Sequence, residues 1–262
     1  MAKKMVLIGG GENGRILENG KTTLYETELI DKEIIRLTKK KAPNYLFMDH
    51  AMHFSTEIQD SYYETMKKIY GKKFGCNCKH LRSDDLQNKE YVQQLIDWAD
   101  IIYEGGGDTL SMIELWKKTG FDIILFDAWN KGKVICGISA GAVCWFKYCN
   151  SEVCENKFEL LKCLGWLDAF VTPHCDEKGR IESSKEQLKN LDCVGILMSN
   201  CSAIEIIDDK YRIISEKCSK REFSKGYIYK TYMNNGKYIS IKLKDSKDFL
   251  PLALLLKNDT GC

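Results

Sequence analysis

The sequence predicts an α/β protein with a doubly wound, mostly parallel sheet and helices on both faces. Short apolar runs alternate with helical patterns from the first residues to about residue 200, and this alternation is typical of a parallel sheet covered by helices. After about residue 200 the pattern changes to period two, which predicts C-terminal hairpins that extend or cap the sheet as a small antiparallel layer. We therefore expect one domain over residues 1–262, with a core at about 1–200 and hairpins at 201–262.

Each predicted element follows from its local pattern. The short apolar runs predict strands at Met5–Ile8, Tyr45–Met48, Ile101–Tyr103, Val134–Cys136, Ala169–Thr172 and Val194–Met198. A weaker pattern predicts one more strand within Phe74–Leu81. The amphipathic segments predict helices at Leu24–Lys40, Thr56–Tyr70, Lys89–Trp98, Thr109–Lys118, Ile123–Lys131, Ala140–Tyr148 and Ile181–Leu191. Residues 203–214 and 227–243 are predicted to form hairpins, the second of which turns at Asn235-Gly236.

Composition excludes several classes of function. The 262 residues carry 39 basic and 37 acidic side chains, a net charge of +2, so no strong field attracts nucleic acid or an anionic membrane. No apolar stretch approaches the length of a membrane span, and the apolar run near the N-terminus is too short for a signal peptide. We expect a cytoplasmic protein whose 12 cysteines are reduced, because they are scattered and lack a C-x-x-C pair.

Two motifs resemble cofactor or metal sites but lack features that such sites need. The glycines in "GGGENG", residues 9–14, have G-x-G-x-x-G spacing, but a loop follows them and Asp31 falls within a predicted helix, which disfavours a dinucleotide site. In "CNCKH", Cys76, Cys78 and His80 lack the second pair of ligands that a zinc site usually has. We expect no cofactor and no metal.

The stretch "KVICGISAGAVCW", residues 133–145, contains the candidate nucleophile. A buried strand leads into G-I-S-A-G and a helix follows, which is the context of a nucleophile elbow with Ser139 at its tip. The small residues after Ser139 suit a tight turn, because bulky side chains would clash there. A structural turn is the alternative. Since a serine alone is a weak nucleophile, a base is also required.

The best-placed base is His174. It follows "AFVTP" at the end of a predicted strand and therefore lies on the same edge of the sheet as Ser139. His50 and His53, in "MDHAMHFS", also follow a strand and are reserve candidates.

A carboxylate should hold the base histidine in the correct tautomer. The chain order nucleophile, acid, base places this acid between residues 139 and 174. Glu152 is preferred because it is the first acid after the predicted elbow helix, and Glu155 and Asp168 are the alternatives.

A glycine-rich turn in "IIYEGGGDTLSMIELW", residues 101–116, is the third element of the candidate site. Glycines let backbone N–H groups approach an anion without a Cβ in the way. In a hydrolase this turn would supply one oxyanion donor, and the N–H of Ala140 would supply the other. A plain structural turn and a phosphate site at the helix N-terminus stay open as alternatives.

The three motifs together resemble the peptidase E and cyanophycinase family of serine peptidases, which has the class I glutamine amidotransferase-like fold. G-G-G-D-T, G-I-S-A-G-A and T-P-H follow successive strands, and the resemblance covers about residues 1–210. It implies that Ser139 is the nucleophile, His174 the base and Glu152 the acid, with Gly107 as an oxyanion donor. It also implies a small peptide as substrate, in keeping with the charge balance, which predicts no nucleic-acid or membrane partner.

Substrate recognition departs from the family pattern. Peptidase E cleaves dipeptides that begin with aspartate and binds that carboxylate with an arginine downstream of the histidine, where this chain places Lys185, with Arg180 nearby as the other candidate. Lysine lacks the bidentate fork that fits a carboxylate, so a branch with a different substrate is expected. An amidotransferase-like enzyme and a non-catalytic anion-binding module are the rival functions. A homodimer stays open.

Overall fold

Two β-sheets form the framework of the protein. The computed structural model describes residues 1–17, 19–218 and 222–258, and in these residues the chain forms one sheet of eight strands and another of six. Residues 219–221 and 259–262, which belong to the predicted hairpin segment, lie outside the described residues. The strands in chain order are β1 Lys4–Ile8, β2 Asn44–Met48, β3 Asn77–Leu81, β4 Ile101–Glu104, β5 Val134–Ile138, β6 Phe146–Cys154, β7 Lys157–Lys162, β8 Leu167–Thr172, β9 Gly195–Met198, β10 Ser202–Ile207, β11 Lys210–Ser215, β12 Ile228–Asn234, β13 Lys237–Lys242 and β14 Leu250–Pro251.

The larger sheet has a parallel centre, and the strand order across it is β14-β11-β10-β1-β5-β4-β2-β3. Strands β1, β5, β4, β2 and β3 pair in parallel, whereas β10 pairs antiparallel with β1. The smaller sheet has the order β13-β12-β9-β8-β6-β7, in which β6, β8 and β9 are parallel. The carboxyl ends of parallel strands meet at one edge, which is where sites form in sheets of this kind.

Helices pack on both faces of the larger sheet. The α-helices are α1 Glu28–Thr38, α2 Thr56–Lys67, α3 Lys89–Trp98, α4 Thr109–Thr119, α5 Phe121–Asn130, α6 Ala140–Val143, α7 Arg180–Leu188 and α8 Ala253–Leu256. Of these, α7 packs instead on β6 to β9 of the smaller sheet. On one face, Ile34 of α1 and Met66 of α2 pack against side chains such as Val6. On the other face, α3 to α5 and the smaller sheet enclose a core that contains Trp116 and Trp145. Among the described residues, no helix combines the length and the apolar character needed to cross a bilayer.

The helix predicted over residues 140–148 is shorter in the structure. It ends at Val143, and β6 begins at Phe146. An apolar run of this length is compatible with either a helix or a strand. Trp145 and Phe146 are fully buried in the core between the sheets, and β6 pairs there with β8 and β7. Tertiary packing thus decides the conformation, and the β6–β7 hairpin was not predicted from the sequence.

The two C-terminal hairpins extend the sheets, which is one of the two arrangements predicted for them. Strands β10 and β11 continue the larger sheet from β1, and β12 and β13 continue the smaller sheet from β9. The second hairpin turns at Asn235 and Gly236, which have φ angles of 49° and 75°. Positive φ at both central residues is the signature of the type I′ turn that favours Asn-Gly.

Candidate active site

Ser139 occupies a strained turn between β5 and α6. Its φ of 53° and ψ of −116° lie outside the regions that non-glycine residues usually adopt. The flanking glycines make this turn possible: a Cβ at Gly137 would overlap the backbone of Gly141, and a Cβ at Gly141 would overlap the carbonyl of Glu104. The G-x-S-x-G spacing therefore has a steric cause, and the hydroxyl of Ser139 is presented at the carboxyl end of β5.

The end of β1 aligns Ser139 with His174. The N–H of Ser139 donates to the Ile8 carbonyl at 3.0 Å, and the N–H of His174 donates to the Gly9 carbonyl at 3.1 Å. His174 directly follows β8 and Pro173, and its backbone has a φ of 47°. As a result, His174 Nε2 lies 2.9 Å from Ser139 Oγ, which is hydrogen-bond distance for a base and its nucleophile.

The other ring nitrogen of His174 faces an amide. Nδ1 lies 2.8 Å from Asn200 Oδ1, and the carboxylate of Glu177 is more distant, at 3.5 Å. Asn200 is buried in the connection between β9 and β10. Its Nδ2 donates to both carboxylate oxygens of Asp176, at 3.1 and 2.9 Å, and its backbone N–H donates to Asp176 Oδ1 at 2.7 Å.

Burial favours the neutral form of His174. Desolvation lowers the pKa of the imidazole below its ordinary value of 6.5; the negative charge of Glu177 partly opposes this effect and the positive charge of Arg180 adds to it. Near pH 7 the ring is therefore neutral. A neutral imidazole with one free lone pair can accept the proton of a serine hydroxyl.

The glycine-rich turn after β4 lies beside Ser139. A Cβ at Gly106 would stand 3.3 Å from Ser139 Cβ, and a Cβ at Gly107 would overlap the carbonyl of Ala51. The turn is joined to the serine turn because Gly141 N–H donates to the Gly105 carbonyl at 3.1 Å. Within the described part of the chain, neither Gly107 N–H nor Ala140 N–H has an acceptor. Both can therefore donate to a bound group.

Glu152 does not contact His174 among the described residues, in contrast to the expectation from chain order. Its carboxylate accepts from Arg180 Nη2 at 2.6 Å and from the N–H of Asn156 at 3.0 Å. The physical reason is that the segment after α6 is the strand β6, which carries Glu152 towards the hairpin turn with β7. Arg180 also donates to Glu177 at 3.1 Å, so Glu152 reaches the imidazole only through a chain of ion pairs.

The two alternative acids also lie elsewhere. Asp168 pairs with Lys147 at 2.8 Å, and Glu155 is exposed in the turn between β6 and β7. Neither contacts His174 within the described chain. The structure therefore brings Ser139 and His174 together and places an amide where the sequence predicted a carboxylate.

Of the two candidate substrate-binding cations, Arg180 is already ion-paired and Lys185 is exposed. The side chain of Arg180 is 8% exposed, pairs with Glu152 and Glu177 and stacks on Phe158 at 5.2 Å. Lys185 is exposed on α7, with its ammonium 5.5 Å from the ring of Tyr238.

A cavity of about 510 Å³ opens beside the loop that follows His174, and neither His174 nor Ser139 is among its described lining residues. It is lined by Cys175, Asp176, Glu177, Lys178, Gly179, Ile181, Glu182 and Tyr227.

The reserve histidines have structural roles. His50 is fully buried; its Nδ1 accepts from Trp116 Nε1 at 2.8 Å, and its Nε2 donates to the Leu81 carbonyl at 3.0 Å. His53 Nδ1 lies 2.9 Å from the His50 carbonyl. In the "CNCKH" segment, His80 bonds Asp49 at 2.9 Å, and the described residues contain no group of side chains suited to a metal ion.

Sequence reasoning missed Asn200, Asp176 and Gly10. A Cβ at Gly10 would overlap both the His174 ring and Asn200 Oδ1, so the glycine turn after β1 makes room for the histidine pair. A signal was present for Asn200, because it comes two residues after a predicted strand whose carboxyl end lies beside that of β8. The chain-order rule directed attention to residues 139–174 instead.

Solved structures with a similar fold include peptidases. A peptidase from an acI-B1 Actinobacterium superposes with a TM-score of 0.67 at 17% identity, covering 96% of this chain and 97% of that one. A structure from Listeria monocytogenes EGD-e that is named as a peptidase E protein superposes with a TM-score of 0.54 at 16% identity, covering 93% of this chain and 100% of that one. At these identities the likeness shows the shared fold.

Sequence comparison shows the family. The uncharacterized peptidase YgaJ of Bacillus subtilis (strain 168) is 30% identical over 229 residues, which are 86% of this chain and 91% of the relative. The model of peptidase family S51 matches residues 5–214, a range that contains the serine turn, His174 and Asn200. The chain therefore belongs to peptidase family S51.

Proposed function

We propose that this peptidase hydrolyses short peptides through an acyl-enzyme on Ser139. The observation that carries the proposal is the 2.9 Å contact between His174 Nε2 and Ser139 Oγ at a strained strand-to-helix turn. Such a turn exposes the hydroxyl, and the neutral imidazole beside it can remove the hydroxyl proton. The cytoplasm is the proposed compartment, because the described cysteines are free thiols.

The reaction follows from the positions of these groups. His174 takes the proton as Ser139 Oγ attacks the scissile carbonyl, and the resulting oxyanion accepts hydrogen bonds from the N–H groups of Ala140 and Gly107. The imidazolium then gives its proton to the leaving amine. A water molecule, deprotonated by the same imidazole, releases the acyl group and restores Ser139.

Cleavage of dipeptides that begin with Asp is the narrower form of the proposal. The side chain expected to bind the Asp carboxylate is Arg180 or Lys185, but Arg180 is already paired with Glu152 and Glu177. An Asp substrate would have to displace one of these carboxylates from the guanidinium. Cleavage of short peptides without an N-terminal Asp fits the observed pairing better.

A cysteine-based amidotransferase-like reaction is less consistent with the site. Cys136 and Cys144 are fully buried, and burial holds the pKa of both thiols well above the ordinary range. Buried thiols of this kind are poor nucleophiles because the reactive thiolate is not populated.

The test is hydrolysis of a panel of Asp-X, Ala-X and longer peptides by the wild-type chain and by Ser139→Ala. We expect Ser139→Ala to lower kcat/KM by about 10³-fold or more while the far-ultraviolet spectrum is unchanged. Treatment with a thiol-alkylating reagent should leave most wild-type activity. Loss of activity on alkylation together with an active Ser139→Ala variant would favour the cysteine-based rival. Peptide binding without turnover would favour a binding module.

A further inference from the structure

We propose that Asp176 and Asn200 form a positioning pair for His174, in which the carboxylate fixes the orientation of the amide and the amide fixes the tautomer of the imidazole. This inference rests on the proposed function of Ser139 and His174. It assigns the third position of the site to an amide backed by a carboxylate, in place of the carboxylate alone that the sequence predicted.

The first step is the orientation of the Asn200 amide. Its buried side chain lies between the imidazole of His174 on one side and the carboxylates of Asp176 and, at 3.4 Å, Glu177 on the other. An ionised carboxylate can only accept hydrogen bonds, so the NH₂ group must face Asp176. The amide oxygen must then face His174. The reverse orientation would oppose the amide oxygen to both oxygens of Asp176 and would cost their hydrogen bonds.

The second step is the tautomer of His174. An amide oxygen can only accept, so Nδ1 carries the hydrogen and Nε2 keeps a lone pair directed at the Ser139 hydroxyl. In a serine protease with a Ser-His-Asp triad, replacing the triad aspartate with asparagine costs about 10⁴-fold in turnover because the wrong tautomer is held. Here Asp176 prevents the turn of the amide that would produce that tautomer.

The third step is the charge around the imidazole. A neutral amide stabilises the imidazolium less than a carboxylate in direct contact would. The charged groups that face His174 are Glu177 at 3.5 Å, Asp176 behind Asn200, and Arg180, which is paired with Glu177. We therefore expect the acid limb of kcat/KM to lie below the ordinary histidine range, in agreement with the lowered pKa of His174.

Asp176 also joins the two loops that meet at the site. Its Oδ1 accepts the backbone N–H of Asn200 at 2.7 Å, and the neighbouring Cys175 N–H donates to the Met198 carbonyl at 3.0 Å. The loop after β8 and the loop after β9 are therefore held in one arrangement. The bond from the backbone N–H of Asn200 to the Asp176 side chain also makes an exchange of the two side chains feasible, because the oxygen of an amide at position 176 can still accept that bond.

The experiment compares Asp176→Asn, Asn200→Ala and the exchange variant Asp176→Asn/Asn200→Asp. Each single substitution should lower kcat by about tenfold to 10³-fold on peptides that the wild type cleaves, because the Nδ1–H tautomer is no longer enforced. The exchange variant should recover to within about tenfold of wild type, since its new amide can donate to its new carboxylate and that carboxylate can accept from Nδ1–H. Its acid limb should move to higher pH, because the negative charge now contacts the imidazole directly.

Glu177 is the rival positioning group, and Glu177→Gln provides the matched comparison. We expect Glu177→Gln to reduce kcat less than Asp176→Asn. Full wild-type turnover in Asp176→Asn and Asn200→Ala, or an exchange variant no better than Asp176→Asn, would overturn the proposal. A wild-type chain that hydrolyses no peptide would instead refute the proposed function itself.

A second measurement needs only the wild-type fold. Nitrogen NMR of uniformly labelled protein at neutral pH distinguishes the two histidine tautomers, and His174→Gln identifies the signals of residue 174. We expect the hydrogen on Nδ1. A hydrogen on Nε2 of His174 would overturn the proposal even if every Asp176 and Asn200 variant failed to fold.

Discussion

At the scale of single residues, the site depends on residues whose backbone and side-chain conformations are tightly restricted. Ser139 and His174 both have positive φ, at 53° and 47°, which costs free energy that the surrounding structure must offset. Hydrogen bonds to the backbone at the end of β1 hold both residues in these conformations. The geometry of the Ser139–His174 pair is therefore built into the fold before any ligand binds.

Gly10 provides a direct test of this arrangement. A Cβ there would overlap the imidazole of His174 and the amide oxygen of Asn200, so Gly10→Ala should separate the pair and lower kcat/KM by about tenfold or more. The matched control is Gly14→Ala in the same loop, where φ is also positive but the nearest atom is Tyr25 Cβ at 3.9 Å. That variant should cost only about 1 kcal/mol of stability. Steady-state kinetics and thermal unfolding of both variants check the prediction, and equal kcat/KM values for the two would contradict it.

The sequence was sufficient to predict the positions of reactive residues that come shortly after buried strands. Ser139 and His174 were placed at one edge of the sheet because both follow buried strands, and the structure brings them together. Asn200 and Asp176 could not be ranked, since the sequence does not show that the loops after β8 and β9 meet. Glu152 was favoured by chain order and by the family resemblance, and chain order fails to locate a contact when the intervening segment is a strand.

At the scale of elements, the long periodic segments were predicted well and the ambiguous apolar run was not. Helices α2, α3 and α4 begin at the predicted residues, because caps and amphipathic spacing are local signals. Ser55 and Asp108 accept hydrogen bonds from the first turns of α2 and α4. The second sheet depends on parallel pairing between β6 and β8, which are separated in the chain by β7. Local sequence patterns do not reveal a pairing between strands that are not consecutive.

The contact of His50 with α4 and β3 predicts a pH dependence of stability. Burial lowers the pKa of His50 to about 3, so below pH 6.5 the unfolded chain takes up a proton that the folded chain does not. The free energy of unfolding should therefore fall with decreasing pH, by up to about 1.4 kcal/mol per unit from this residue. His50→Gln should be less stable at pH 7 by about 1–3 kcal/mol through loss of the bonds to Trp116 and Leu81.

Urea unfolding between pH 4.5 and 7 measures both effects. The stability of His50→Gln should decline less steeply than that of wild type as the pH falls, because the variant lacks the protonation that favours the unfolded state. Parallel pH curves for the two proteins would show that His50 is not held neutral by burial.

At the scale of the whole molecule, the site joins both sheets. Ser139 follows a strand of the larger sheet, His174 follows a strand of the smaller one, and Asn200 lies where the chain passes from the smaller to the larger. Buried side chains of both sheets form one continuous core. The two sheets must therefore keep a fixed relation for Ser139 and His174 to meet.

A single cooperative unfolding transition is the expected consequence, and it tests the one-domain organisation inferred for residues 1–262. The tryptophans at positions 98, 116, 129, 145 and 166 all belong to or pack on the shared core. Their fluorescence and the far-ultraviolet circular dichroism should change with the same midpoint in denaturant. Two separated transitions would show that the smaller sheet and its hairpins form an independent unit.

The most direct test of the central claim is covalent labelling of the nucleophile. After reaction with a fluorophosphonate, intact-mass analysis of the wild-type chain should show one adduct, and peptide mapping should place it on Ser139. Ser139→Ala should acquire no adduct under the same conditions. A peptidase-active wild-type preparation that stays unmodified, or an adduct that persists in Ser139→Ala, would contradict the assignment of Ser139 as the nucleophile activated by His174.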